Sequence, residues 1–162
     1  MTRSGASPLR LDVTRGVRAW APPQAAMIRW AATALGRRGA GREVAVRVVA
    51  PRESRRLNAL WRGKDKPTNV LAFPAAAGAA GTVRRGTARA LGDLVICAAI
   101  VRAEAREQRK PLTAHWAHLV VHGTLHLAGY DHVRDADAAR MERREIAVLR
   151  RLGIPNPYLS GT

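Results

Sequence analysis

The sequence His-Gly-Thr-Leu-His-Leu-Ala-Gly-Tyr-Asp-His occupies residues 122–132 and contains three of the five histidines of the chain. Apolar residues at three- and four-residue spacings predict a helix through its first part. Residues four apart on a helix share one face, roughly 6 Å apart along the axis, so His122 and His126 point the same way. Gly129 suits the left-handed position at which helices end, and the turn there brings His132 back to the other two.

These three histidines predict a metal site. Three neutral imidazoles on one ion leave a fourth position for water, which is typical of a catalytic zinc site. The spacing matches the metalloprotease motif H-E-x-x-H-x-x-G-x-x-H, except that Gly123 replaces the glutamate that activates water in those enzymes. A metallopeptidase would therefore lack its general base. The alternative, that all three are hydrogen-bonded core or surface histidines, does not explain their spacing.

Apolar patterns along the chain predict a small sheet covered by helices, in a single domain of the α+β (or α/β-like) class over residues 1–162. We expect strands at 9–13, 43–49, 70–74 and 91–97. We expect helices from Pro22-Pro23 to Gly36, at 52–61, 98–109 and 112–128, and from 135 to Gly153. Thr113 and Asp135 are expected to help start the last two helices.

Three segments have no regular pattern. Residues 75–90 consist of Ala, Gly, Thr, Val and Arg without periodicity and predict a flexible insertion rather than a linker between domains. Residues 1–8 and 156–162 are expected to be loose ends.

Composition restricts the class of partner. The chain carries a net charge of +16 and has a pI near 11.8, which favours a polyanionic partner such as nucleic acid. The alternative is an arginine-rich composition without a role. A single cysteine, Cys97, cannot form a disulfide within the chain, which fits a reducing cytoplasm. Neither a signal peptide nor a membrane span is recognised, so we expect a cytoplasmic protein with no membrane partner.

Three segments, taken in order, resemble the YbeY family of bacterial endoribonucleases, which mature ribosomal RNA. Residues 57–74 read Leu-Asn-Ala-Leu-Trp-Arg-Gly-Lys-Asp-Lys-Pro-Thr-Asn-Val-Leu-Ala-Phe-Pro, and residues 91–97 read Leu-Gly-Asp-Leu-Val-Ile-Cys. The third segment, 115–132, contains the histidine motif. The resemblance implies a single domain in which the histidine helix packs on a mixed sheet of about four strands.

The resemblance also implies a site and a role. It implies zinc on His122, His126 and His132, and an arginine needed for RNA cleavage, which matches Arg62. The implied activity is single-strand-specific cleavage in 3′-end maturation of 16S ribosomal RNA and in ribosome quality control. The implied partners are ribosomal RNA and the small ribosomal subunit, together with ribosomal proteins and an assembly GTPase.

Elementary chemistry agrees with a role for Arg62. Zinc can lower the pKa of a bound water to about 7, so that hydroxide is available at neutral pH. A nearby guanidinium can bind phosphate through two parallel hydrogen bonds and stabilise the charge that develops there. Lys64 and Lys66 are candidates to hold flanking phosphates, and Asn58 and Asn69 are candidates to position the loop.

Other residues near the motif have supporting roles. His118 precedes His122 by one helical turn but lies roughly 12 Å along the axis from His126, too far for all three to ligate one ion. His118 and Asp131 are therefore candidates to line the cleft or to support the metal ligands. His115 is interpreted as structural.

Three functions remain open at this point. The leading one is a zinc-dependent endoribonuclease that acts on ribosomal RNA. The others are a metallopeptidase, and a non-catalytic ribosome assembly factor in which zinc only stabilises the fold. An open coordination position would favour an enzyme, whereas a fourth protein ligand would favour the structural role. The general base and the native metal are not identified by the sequence.

Overall fold

The computed structural model describes residues 7–75, 89–130 and 134–159. Four strands in these ranges form one mixed sheet in the order β1-β2-β4-β3: β1 Arg10–Arg15, β2 Glu43–Val49, β3 Val70–Pro74 and β4 Ala90–Cys97. β1, β2 and β4 are parallel, whereas β3 runs antiparallel to β4 along one edge. The predicted small mixed sheet in an α+β domain is confirmed.

The described residues form α1 Gln24–Leu35, α2 Pro51–Arg62, α3 Ala98–Glu107, α4 Leu112–Leu127 and α5 Asp135–Arg151, with a 3₁₀ turn, Gly36–Gly39, after α1. The central element is α4, which packs against α1, α3 and α5 as well as against β3 and β4. Its buried residues fall on most of its circumference, as expected for a helix surrounded by other elements. The predicted histidine helix is therefore the core helix of the domain.

The two faces of the sheet pack against different helices. Leu94 and Ile96 of β4 belong to the main core with α1, α4 and α5, whereas Val95 and Cys97 pack in a smaller core with Leu57 of α2. Side chains alternate between faces along a strand, so this pattern puts α4 and α2 on opposite sides of the sheet. Both helices pack beside the edge strand β3.

Two helix starts differ from the sequence prediction. α4 follows Pro111 and α5 follows Arg134, and no side chain caps either helix. Thr113 lies within the first turn of α4, and Asp135 is the first helical residue of α5, where its charge complements the helix dipole. Burial of apolar faces fixes both helices without a cap. The predicted insertion lies mostly outside the described residues, and so do residues 1–6. Across the described ranges, every helix is too short or too polar to cross a membrane.

Candidate active site

Gly123 sets the distance between α4 and the sheet. A side-chain carbon at this position would lie 2.7 Å from Cδ2 of Leu94 and 3.4 Å from Cγ2 of Val70. Since 2.7 Å is too short for two carbon atoms, any side chain at residue 123 would require the end of the Leu94 side chain to move. Glycine therefore fits the close approach of α4 to β3 and β4 without rearrangement. With glycine here, the metalloprotease motif lacks the glutamate that acts as its general base, which argues against a metallopeptidase.

His122 is oriented by a carboxylate from α5. Its Nδ1 is hydrogen-bonded to Oε1 of Glu145, a fully buried residue in the middle of that helix. A carboxylate accepts a hydrogen bond, so Nδ1 carries the ring proton and Nε2 carries the lone pair. Carboxylate–histidine pairs of this kind hold the rings of metal-ligating histidines in many proteins. The side chain of His122 is 28% exposed, so the ring also reaches the surface.

The C-terminal segment contacts the second oxygen of the Glu145 carboxylate. The Tyr158 hydroxyl donates to Oε2 of Glu145 and lies 3.4 Å from Nε2 of His118. The Tyr158 and His118 rings pack edge to face, with centroids 5.4 Å apart. The sequence predicts a loose end at 156–162, but this contact attaches Tyr158 to the site. We call His118, His122, Glu145 and Tyr158 the histidine cluster.

The electrostatics of the histidine cluster favour an ionised glutamate. Burial raises the pKa of Glu145, but the nearby imidazole of His118, 3.9 Å away, and the hydrogen bonds from His122 and Tyr158 outweigh it and hold the pKa at about 2. Burial lowers the pKa of His118, which favours the neutral imidazole that a metal requires. Burial and the neighbouring carboxylate raise the pKa of Tyr158, so its hydroxyl stays protonated and can donate.

The histidine cluster contains a set of potential metal ligands. One ligand atom from each of His118, His122 and Glu145 lies within 4.8 Å of the others. Imidazole and carboxylate are both common zinc ligands, so this donor set fits the ion that the sequence predicts. The sequence suggests that His118 lines the cleft or supports the metal ligands. In the structure, one of its ring nitrogens is itself a potential ligand atom. The set shares only His122 with the predicted triad.

The predicted triad is only partly within the described residues. His126 follows His122 by one turn of α4 and is also partly exposed. His132 and its neighbour Asp131 lie outside the described residues, so the triad remains a prediction.

A second polar network fixes the start of α4. His115 is 4% exposed, and its Nε2 lies 3.0 Å from Oε1 of Glu104 in α3. The amide of Asn69 donates to the same oxygen at 3.0 Å, and Asn69 also accepts a hydrogen bond from the backbone N–H of Val70. Burial raises the pKa of Glu104, but these hydrogen bonds outweigh it and the pKa lies below its usual value. The network joins α3, α4 and the start of β3, and it gives His115 a structural role.

Arg62 is the last residue of α2 and begins the loop that leads to β3. Gly63 follows in the left-handed conformation, with φ 69°, and its N–H bonds back to the helix. The amide of Asn58 donates to the carbonyl oxygen of Lys66 at 2.8 Å, so Asn58 helps to shape the loop.

Two further contacts hold the same loop. The Ser54 hydroxyl is 2.9 Å from both the backbone oxygen and the backbone nitrogen of Thr68. Arg55 donates two hydrogen bonds to the carboxylate of Asp65, at 2.8 and 3.0 Å, and this lowers the pKa of Asp65. The loop is therefore fixed by the side chains of its neighbours and not by its own lysines.

The cations of the loop point to solvent. Arg62, Lys64 and Lys66 are all exposed, and none of their side chains has a hydrogen bond or an ion pair with another described residue. Asp65, the acid between the two lysines, is already paired with Arg55. Three unpaired positive charges on a fixed loop are suited to binding phosphates.

The sequence model of the family described as Endoribonuclease YbeY matches residues 23–153. The chain belongs to the endoribonuclease YbeY family. A relative named Endoribonuclease YbeY from Methylococcus capsulatus is 51% identical over 149 residues, which cover 91% of this chain and 94% of the relative. Another from Pseudomonas putida is 49% identical over 150 residues, covering 93% of each.

The fold also matches a solved structure. A Thermotoga maritima protein solved in solution superposes with a TM-score of 0.51 at 23% identity, covering 90% of this chain and 91% of that one. This likeness supports the α+β fold. The resemblance to the YbeY family that the sequence indicates is confirmed over most of the chain.

The sequence interpretation missed Glu145 and Tyr158. Glu145 gave a usable signal, because it lies on the apolar stripe of α5 between Met141 and Leu149, both fully buried. A charged residue at such a position is almost always paired, so a partner on a facing helix could have been expected. Tyr158 gave no such signal, because the segment around it has no periodicity.

Proposed function

We propose that this chain is a metal-dependent endoribonuclease that cleaves single-stranded RNA in 3′-end maturation of 16S ribosomal RNA and in ribosome quality control. Membership of the endoribonuclease YbeY family supports hydrolysis of RNA phosphodiester bonds. The observation that carries metal dependence is the group of His118, His122 and Glu145, in which potential ligand atoms lie within 4.8 Å of one another and a buried carboxylate orients the His122 ring.

Zinc on His122, His126 and His132 is the arrangement that we favour. Nδ1 of His122 is in direct contact with Oε1 of Glu145, so no ion fits between these two atoms. Glu145 then orients the ring, and Nε2 of His122 would hold the ion together with His126, one turn further along α4. The alternative is that His118, His122 and Glu145 separate slightly and ligate the ion themselves.

Each polar group of the site has a defined task in this proposal. When bound, zinc supplies a Lewis acid for the scissile phosphate and a means to deprotonate water at neutral pH. Arg62 binds a non-bridging oxygen of the phosphate and stabilises the charge that develops during cleavage. Lys64 and Lys66 bind the neighbouring phosphates and keep the strand in place. Because the loop is already fixed, little reorganisation is needed when RNA binds.

The charge of the chain supports a ribosomal RNA partner. A net charge of +16 attracts a polyanion over a long range, and binding then releases counterions from the RNA. The role entails the small ribosomal subunit, ribosomal proteins and an assembly GTPase as partners. It also entails a cytoplasmic location, with which the single cysteine agrees.

The test combines metal content with cleavage. The purified protein is analysed for bound metals and is then incubated with a single-stranded fragment from the 3′ end of precursor 16S RNA, and with the same fragment in a duplex. We expect cleavage of the single strand only, loss of cleavage with a chelator, and recovery when zinc is added back. Cleavage that persists without metal would contradict metal dependence. Cells whose ribosomal RNA matures normally with a cleavage-dead variant would support the non-catalytic assembly factor.

A further inference from the structure

Trp61 exposes a large aromatic surface beside the cations of the Arg62 loop. Its side chain lies in the last turn of α2 and is 45% exposed, although Trp30 and Trp116 are almost fully buried. The indole packs against the ring of Phe73 in β3, with ring centroids 6.2 Å apart and ring planes at 70°. In this edge-to-face arrangement Phe73 covers part of the indole and fixes its orientation.

The surroundings of Trp61 match the backbone of a nucleic acid. Arg62 is the next residue, and Lys64 follows in the same loop, and neither side chain is engaged by a described acidic residue. Asp65 cannot compete for these cations because Arg55 holds its carboxylate with two hydrogen bonds. A flat apolar surface next to unpaired cations is suited to a nucleotide, since the base is planar and apolar on its faces and the phosphate is anionic.

We propose that the exposed indole of Trp61 stacks on an unpaired base of the RNA, while Arg62 binds the scissile phosphate and Lys64 binds the phosphate next to it. This inference rests on the proposed endoribonuclease function and adds a base-stacking site to it. Bases inside a duplex are already stacked on both faces, so this site favours single-stranded RNA. Stacking does not depend on the identity of the base, so the site contributes affinity and strand selection rather than sequence specificity.

The edge strand β3 connects this site to the histidine helix. Phe73, which supports Trp61, faces the α2 side of the sheet, whereas Val70 faces α4 and contacts it at Gly123. Among the described residues, β3 is the last strand on this side of the sheet. An RNA strand that passes around this edge contacts Trp61 on the α2 side, and its scissile phosphate lies at the edge, between Arg62 and the histidine helix. The stacked base belongs to a nucleotide that flanks the cleavage site.

The test measures binding of a fluorescein-labelled single-stranded oligoadenylate by anisotropy, with the strand checked for integrity after each titration. Trp61→Ala should weaken binding about tenfold, which is the size of one base–aromatic stacking contact. Trp61→Phe should retain most of the affinity because it keeps an aromatic face. Trp20→Ala is the matched control: Trp20 is 49% exposed, but it follows β1 at the opposite edge of the sheet, and its loss should have no effect.

A probe without bases separates stacking from electrostatics. The wild type and Trp61→Ala should bind an abasic strand of the same length equally, because only phosphate contacts remain. The dependence of affinity on salt should be the same in Trp61→Ala as in the wild type, and should be weaker in Arg62→Ala, since counterion release follows phosphate contacts.

Two results would overturn the stacking site. One is oligoadenylate binding by Trp61→Ala that equals the wild type. The other is an equal loss of affinity for the normal and abasic strands, which would indicate a general disturbance of the loop. If stacking fails while the wild type still cleaves RNA, the proposed function stands without it. If the wild type neither cleaves RNA nor binds it in a salt-dependent way, the proposed function itself is wrong.

Discussion

The histidine cluster and the Arg62 loop are both fixed by hydrogen bonds, but they use them in opposite ways. In the histidine cluster the functional groups themselves are bonded to one another, and Glu145 at its centre is fully buried. In the Arg62 loop the bonds are made by neighbouring side chains, such as Ser54 and Asn58, and the cations are left exposed. The histidine cluster is built around a buried carboxylate, whereas the Arg62 loop presents its cations to solvent.

This difference matches what each proposed partner requires. A metal ion needs a few donors held in one orientation, and a buried carboxylate provides that orientation. A phosphate chain needs cations that lose little hydration and can reach it from a fixed base. Variants at the predicted metal ligands and at Glu145 should therefore change metal binding first, and variants in the Arg62 loop should change RNA cleavage without changing the metal.

His126→Ala should have the largest effect. If zinc is held by the triad, two imidazoles remain, and bound metal and cleavage should both fall to background. Metal content by mass spectrometry and cleavage of the 16S fragment measure the two losses. His118→Ala is the matched control on the same helix and should retain the ion. Metal kept by His126→Ala but lost by His118→Ala would instead assign the ion to His118, His122 and Glu145.

Arg62→Ala should separate cleavage from metal binding. Removing one group that stabilises developing charge typically lowers the rate about 10²- to 10³-fold, while the exposed guanidinium contributes nothing to the described packing. Metal content and thermal stability should equal those of the wild type. Arg18→Ala removes another exposed arginine, after β1 at the far edge of the sheet, and should cleave normally. An Arg62→Ala protein that cleaves at the wild-type rate would make Arg62 one basic residue among many.

Glu145→Gln should weaken the metal site without abolishing it. The amide can still contact His122 but carries no charge, and loss of such a supporting carboxylate typically lowers metal affinity about 10- to 100-fold. Competition with a chromophoric chelator measures the dissociation constant. Glu142→Gln, an exposed position on the same helix, is the control and should leave affinity unchanged. Complete loss of metal in Glu145→Gln would indicate that the carboxylate is itself a ligand.

The parts of the fold that the sequence predicted best are those set by local pattern. The alternating valines of β2 and the short apolar run of β3 have the predicted bounds, because each is enclosed by turn-forming residues. The i,i+4 spacing of His122 and His126 likewise follows from the helix alone. The pairing of His122 with Glu145 is a contact between two helices, and spacing within one helix does not predict its partner.

The contacts of the C-terminal segment are not predicted for a related reason. The sequence Ile-Pro-Asn-Pro-Tyr after Gly153 has no periodicity, so it predicts a loose end. In the structure Lys110 donates to the carbonyl oxygen of Pro157 at 2.6 Å, and Tyr158 reaches Glu145. These contacts depend on where α3, α4 and α5 lie relative to one another, which only the packed core determines.

Tyr158→Phe should have the smallest effect and tests whether this segment contributes to the histidine cluster. The change removes only the hydroxyl that donates to Oε2 of Glu145, so the ring can still pack against His118. Losing one hydrogen bond to a buried carboxylate at a partly exposed position should cost about 1 kcal/mol of unfolding free energy. Metal affinity should fall several-fold, because Glu145 then holds His122 less firmly. Leu159→Ala, at a neighbouring exposed position, should change neither quantity. Wild-type metal affinity in Tyr158→Phe would show that His122 and α5 fix the carboxylate without the tail, and would leave Tyr158 with a packing role only.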